Sequence, residues 1–232
     1  MADLASMGLN FLVALVAVLS VILVAIGMFG NVTGGHMSPK VWFGWHPVLM
    51  TLAFPCLMTL GRWSYLSGGE ERTQTWQRAA HGVLMGLGAI AMLVGYFAIF
   101  EAHLPKSQFF GYNFKAKAWV DWKRVIHGWI GYLLIAAVLV QAIIGVMKIR
   151  SLSTGERKPT MTFHGNLGKA LLLLACINVV IAIRFWPWST ALKVVLYILT
   201  IAAGVFGTVW PRPPKSTAGE DASLLTGNAG QA

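Results

Sequence analysis

The sequence predicts an all-α, polytopic membrane protein of six transmembrane helices, the middle four gathered in a central four-helix bundle. Three observations carry this expectation. Of 232 residues, 56% are hydrophobic and only 11% charged, where a soluble domain carries roughly 25% charged residues. Apolar runs at 9–29, 46–66, 80–100, 127–147, 164–183 and 190–209 each have the ~20 residues that cross a bilayer as helix. Turn-forming residues separate them: Gly34-Gly35 with Pro39, Ser67-Gly68-Gly69, Pro105, Gly155 with Pro159, and Pro187.

The first run has no Lys or Arg before it and is longer than a signal-peptide core, so residues 1–30 are expected to form a first spanning helix. Residues 31–210 hold the other five. The second run carries Pro55, which frees a backbone carbonyl one turn earlier; proline in spanning helices needs no special purpose, and none is assigned to it. The last run stops at Trp210-Pro211, and the polar stretch 211–232 is expected to be a disordered tail. Trp42, Trp45, Trp63, Trp76, Trp119, Trp122, Trp186, Trp188 and Trp210 cluster at the ends of the runs, as in an aromatic belt. Cys56 and Cys176 lie inside apolar runs without CxxC spacing and read as buried thiols.

Six spans put both termini on one side, A, with the connections 67–79 and 148–163. Side B holds 30–45, 101–126 and 184–189. Of the 18 Lys and Arg, ten fall near side A and eight near side B, which favours a cytosolic side A. The net charge of +10 lies in connections and tail, where membrane lipid headgroups are the expected partners. No nucleic-acid motif accompanies it.

His46, His81, His127 and His164 stand at the start of four consecutive runs. Consecutive spans run in opposite directions, so His46 and His127 fall at side B, His81 and His164 at side A. Two imidazoles from facing helices, twice, is the arrangement that axial ligation of haem iron requires, and bundle cores commonly hold such cofactors. The residues therefore point to two haems within the central bundle. Zinc fits less well, because it takes three or four ligands and no Cys, Asp or Glu accompanies these histidines.

Gly82, Gly128 and Gly165 directly follow three of the histidines, with Gly131 and Gly168 close behind. Small residues admit a flat macrocycle to the backbone, and they also serve helix–helix packing. A step of fourteen residues, close to four helical turns and about 21 Å, leads from the four histidines to Leu60, Gly95, Gln141 and Asn178. Gly95 and Asn178 then belong to side B, Gln141 to side A, and the two irons lie about 20 Å apart. Arg78 and Arg124 precede His81 and His127 by three residues and share their helix faces; propionates, an anionic reductant and the membrane surface all suit them. His103 reads as an interfacial histidine, with contact to an electron acceptor as the alternative.

The stretches His46-Pro47-Val48-Leu49-Met50, Arg78-Ala79-Ala80-His81, His127-Gly128-Trp129-Ile130-Gly131 and Phe163-His164-Gly165-Asn166-Leu167-Gly168, with the Gln141 and Gly145 spacing, resemble the cytochrome b561 family of transmembrane electron-transfer proteins over roughly 40–210. The resemblance implies two haem b groups, the cytosolic one on His81 and His164, the other on His46 and His127. It also implies a transmembrane oxidoreductase that takes electrons from cytosolic ascorbate and passes them to monodehydroascorbate or a ferric chelate, with both termini cytosolic. Arg72, Arg78, Arg150, Arg157 and Lys158 are the candidates for binding ascorbate, and His103 for the acceptor.

Thr59-Leu60-Gly61-Arg62-Trp63-Ser64-Tyr65 and Val125-Ile126-His127-Gly128-Trp129 depart from the vesicular ascorbate-type members, which read Ala-Leu-Leu-Val-Tyr-Arg and Ser-Leu-His-Ser-Trp. Here the chain is more similar to the b561 cores that some proteins fuse to an extracellular haem- or catechol-binding domain. Other functions stay open: the haem-bearing membrane subunit of a quinone-linked dehydrogenase, or a transporter or channel whose histidines titrate or bind metal. The last usually shows acidic residues within its spans, whereas Glu101 and Asp121 are expected in connections. A homodimer is open as well.

Overall fold

The computed structural model describes residues 2–30, 36–66, 74–153, 161 and 163–210. Its helices are α1 Ala2–Phe29, α2 Trp42–Trp63, α3 Gln74–His103, α4 Trp122–Ser153, α5 His164–Phe185 and α6 Thr190–Thr208. All six contain a stretch long and apolar enough to cross a membrane, so the protein is an all-α, multi-pass integral membrane protein. The tail 211–232 and the turns at Gly34-Gly35, 67–69, Gly155 and Pro159 lie outside the described residues.

Several helices overrun their apolar runs. A backbone leaving the hydrocarbon layer still satisfies its polar groups best as helix, and long polar side chains reach past it to water. His81 therefore sits two turns inside α3, His46 and His127 about one turn inside α2 and α4, and only His164 opens its helix. Glu101 lies in the last turn of α3 and not in a connection. Asp121 caps α4, its Oδ1 accepting the Lys123 backbone N–H at 2.9 Å.

Pro55 has a larger effect than the sequence suggested. Residues Leu52–Met58 of α2 widen into a π-helical segment. Proline has no N–H to donate and its ring crowds the carbonyl four residues back. The backbone N–H of Thr59 returns to Phe54 O, five residues earlier, and Thr59 Oγ1 lies 3.3 Å from the same carbonyl. The wider turn adds one residue to the phase of α2, which matters for the site below.

Midway along the bundle, Phe54 of α2, Met92 of α3, Leu134 of α4, and Leu172 and Ala175 of α5 form one buried cluster. Outside α2, Val24 and Met28 of α1 pack with Val48, Ile183 and Leu196. Two tryptophans expected in the interfacial belt turn inward instead. Trp63, 5% exposed, donates from Nε1 to Asn10 Oδ1 at 2.9 Å, and Trp188, 7% exposed, donates to Gly27 O at 2.9 Å. Lipid tails provide no hydrophobic drive for helix association, so such bonds and close packing hold α1 in place. Trp42, Trp45, Trp76, Trp119, Trp122 and Trp210 remain exposed.

The connection between α3 and α4 is more ordered than an all-helical reading foresees. A 3-10 turn, Leu104–Lys106, leads into three two-residue strands, β1 Gln108–Phe109, β2 Tyr112–Asn113 and β3 Ala118–Trp119. They pair antiparallel in the order β1-β2-β3, with Gln108 opposite Asn113 and Tyr112 opposite Trp119. The tight turn at Gly111 has φ +82°, and a Cβ there would meet Val125 Cγ2 at 2.8 Å. Only glycine brings this hairpin down onto the start of α4.

Candidate functional site

Four consecutive helices each contribute one histidine. The rings of His46 from α2 and His127 from α4 have centroids 6.2 Å apart and planes crossed at 87°. At the other end of the bundle His81 from α3 and His164 from α5 stand 6.3 Å apart, crossed at 78°.

The second ring nitrogens explain how the imidazoles are held. His46 Nδ1 lies 2.9 Å from Gly95 O, His81 Nδ1 2.9 Å from Gly61 O, and His127 Nδ1 3.2 Å from Asn178 O. A carbonyl only accepts, so each of these Nδ1 atoms carries the hydrogen and Nε2 keeps its lone pair. A metal-ligating histidine needs this tautomer, and the carbonyl behind it raises the basicity of the ring. Helices α2 and α3 thus exchange reciprocal bonds, each histidine donating to a glycine carbonyl of the other. The glycines permit the approach: a Cβ on Gly95 would lie 3.0 Å from Leu49 Cβ, and one on Gly61 3.2 Å from Leu84 Cβ.

Gly61, and not Leu60, is the partner on α2. Along α3 the fourteen-residue step from His81 reaches Gly95, as periodicity predicts. Along α2 the π-helical segment intervenes, so the face carrying His46 returns after fifteen residues.

Helices α4 and α5 meet differently at side A. Gln141 Nε2 donates to the backbone carbonyl of His164 at 2.6 Å. A Cβ on Gly145 would come within 3.2 Å of His164 Cε1, and one on Gly168 within 3.1 Å of Gln141 Nε2. Gln141 therefore belongs to the side A pair and Asn178 to side B.

Axial imidazoles on one metal ion stand about 6.3 Å apart, given metal–nitrogen bonds of about 2 Å and a ring radius of about 1.1 Å from bonds of about 1.33 Å. Both pairs have this separation. Among the described residues no group of three or more His, Cys, Asp or Glu could hold a metal ion, and a haem macrocycle would supply the donors that each two-histidine pair lacks. A cavity beside the side B pair is lined by His46, His127, Gly128, Gly131, Tyr96 and Asn178. A Cβ on Gly82, Gly128 or Gly165 would meet nothing within 4 Å among the described residues. The residues fit haem.

An adjoining cleft of 540 Å³ is lined by Lys40, His103, Lys106 and Arg124 with Phe43 and Gln108. Phe43, His103, Gln108 and Arg124 also border the side B cavity. Arg124 lies 5.8 Å from the Phe185 ring centroid. The sequence marks His103 and Arg124 as candidates, but Lys40 and Lys106 only as charges near side B. Their convergence from two connections and the helix ends beside them carries no sequence signature. Arg78, near the start of α3, is half-buried, and Arg150, in the last turn of α4, is exposed; both belong to the side A end. Arg72, Arg157 and Lys158 lie outside the described residues.

The fold and these pairs define a class: an integral membrane helix bundle with crossed imidazole pairs at both ends of its four-helix core. Residues 45–190, a stretch containing all four histidines, match the family model of eukaryotic cytochrome b561, and the chain belongs to that family. It is accordingly a haem b-binding transmembrane oxidoreductase of electron transfer. No curated protein matches the chain.

Proposed function

We propose that the chain passes electrons across the bilayer through two b-type haems, one held by His46 and His127 and one by His81 and His164. The donor in this reading is ascorbate on a cytosolic side A, and the acceptor is monodehydroascorbate or a ferric chelate on side B. The observation that carries it is the pair of crossed imidazole couples, 6.2 and 6.3 Å between centroids, contributed by four consecutive spans. Haem iron, when bound, supplies reversible one-electron chemistry.

The chain's own residues do the rest. The carbonyls of Gly95, Gly61 and Asn178 hold a hydrogen on Nδ1 and leave Nε2 as the ligating atom. Phe54, Met92, Leu134 and Leu172 fill the middle of the bundle, so water and ions are excluded while electrons cross the roughly 20 Å that four helical turns span. Each ascorbate releases one electron and one proton at side A. At side B one electron converts ferric to ferrous iron, or with a proton returns monodehydroascorbate to ascorbate.

Arg72, Arg78, Arg150, Arg157 and Lys158 are the proposed ascorbate contacts. On side B, Lys40, Lys106, His103 and Arg124 surround a cleft that shares its wall with the cavity of His46 and His127. Concentrated positive charge of this kind draws in an anionic acceptor.

The test is haem-to-protein stoichiometry on the purified chain, with a difference spectrum after adding ascorbate. Two b-type haems per chain, both reduced, are expected. Alanine at His46, His81, His127 or His164 is expected to lower haem content in every case. Full occupancy in all four folded variants would overturn the reading.

A further inference from the structure

Three of the four Nδ1 atoms rest on a backbone carbonyl of the facing helix, and the fourth does not. His164 Nδ1 is buried and finds no hydrogen-bond partner among the described residues. The same holds for Oε1 of Gln141, whose Nε2 donates to the carbonyl of His164 at 2.6 Å. Reciprocity breaks only here. His127 bonds Asn178 O, fourteen residues beyond His164; the matching acceptor for His164 would be Gln141 O, fourteen beyond His127. With Nε2 committed to a ligand, Nδ1–H is a donor lacking an acceptor, and Oε1 is an acceptor lacking a donor. Gly145 and Gly168 face them without side chains. A Cβ on either would press on the His164 ring, at 3.2 Å, or on the Gln141 amide, at 3.1 Å.

We propose that Gln141 is the positioning residue of the side A haem ligand, gripping His164 at two points. Nε2 holds its backbone carbonyl, and Oε1 accepts from Nδ1–H through one buried water. The two orphaned polar atoms are the partners that such a water would bridge. The other three axial imidazoles are set by backbone, which no substitution alters chemically; His164 is set by a side chain. The side A haem is therefore the one whose potential a single residue tunes. This inference rests on the four histidines being haem ligands.

The experiment is a redox titration with low-spin ferric EPR on the full chain, comparing Gln141→Leu and Gln141→Glu with wild type. The side A signal is identified as the one lost in His81→Ala. Leucine removes both contacts, and the less basic imidazole favours ferrous iron, so the side A midpoint rises. Glutamate keeps an acceptor and gives it charge, which makes the imidazole more basic, so the midpoint falls. Each shift is expected to be about tenfold in the reduction equilibrium, ~59 mV for one electron, with the side B haem unmoved. Gly168→Ala, which displaces the amide without changing it, is expected to shift side A in the leucine direction. A merely structural role would move the leucine and glutamate variants the same way. That result, or no side A shift in any variant that retains two haems, overturns the proposal. A wild-type chain without haem overturns the underlying reading instead.

Discussion

At the scale of single residues, what distinguishes these histidines from ordinary interfacial ones is what lies behind the ring. An imidazole at a helix end is free to rotate toward water. His46, His81 and His127 are fixed because Nδ1 donates to a carbonyl on a neighbouring helix, and a helical carbonyl has a second lone pair to offer without leaving its own ladder. Gly95→Ala probes this directly. The added methyl would sit 3.0 Å from Leu49 Cβ and push α2 from α3, at the 1–3 kcal/mol typical of overpacking. Spectral titration should show the His46–His127 haem weakened more than the other. For the acceptor cleft, Lys106→Ala is expected to raise KM for an anionic ferric chelate several-fold with kcat unchanged, the pattern of lost uniform binding. A neutral acceptor measured in parallel should show no change.

The elements act through their phase. Helix α2 reaches side A one residue out of step with an ideal helix because Leu52–Met58 is π-helical. Wide turns of this kind are often found at functional sites, and here the extra residue presents Gly61 to His81. Pro55→Ala, which returns the missing N–H and lets the segment wind as regular α-helix, would bring Leu60 to that position. Loss of the His81–His164 haem with retention of the other is expected, read from the reduced spectrum; equal loss of both would contradict the argument. The α3–α4 hairpin depends on a different device, the left-handed turn at Gly111 against Val125. Gly111→Ala should lift this cap, slowing electron delivery to a side B acceptor in stopped-flow while reduction by ascorbate keeps its wild-type rate.

At the scale of the whole molecule, direction is the property that matters, since two similar pairs at opposite ends could run either way. In the proposed direction side A, near which ten of the 18 basic residues fall, is the cytosolic donor side. Cys56 and Cys176 are buried, so a cysteine placed on the hairpin as Lys117→Cys is the accessible thiol for a membrane-impermeant maleimide. With the protein in the plasma membrane of intact cells, labelling from outside is expected. Labelling that requires permeabilisation would reverse the orientation.

The sequence by itself determined the six spans, because hydropathy over twenty residues is a local property and the bilayer thickness sets its length scale. It determined the histidine pairing too, because alternating helix direction leaves no other arrangement of ends. Helical periodicity then carried Gly95, Gln141 and Asn178 to the correct sites. Other features were decided only by tertiary structure. Periodicity fails at α2 because a proline's missing N–H rewinds the backbone by one residue, and Pro55 alone does not say whether a helix will kink, widen or absorb it. Trp63 and Trp188 had the composition of belt residues, but a tryptophan at a helix end faces lipid or a neighbour according to packing, and Asn10 and Gly27 offered partners. The cleft of Lys40, His103, Lys106 and Arg124 joins three chain segments whose approach depends on how the hairpin folds back over the bundle. Local patterns thus specify which elements exist and which ends meet, while contacts between elements set the register and orientation of each side chain.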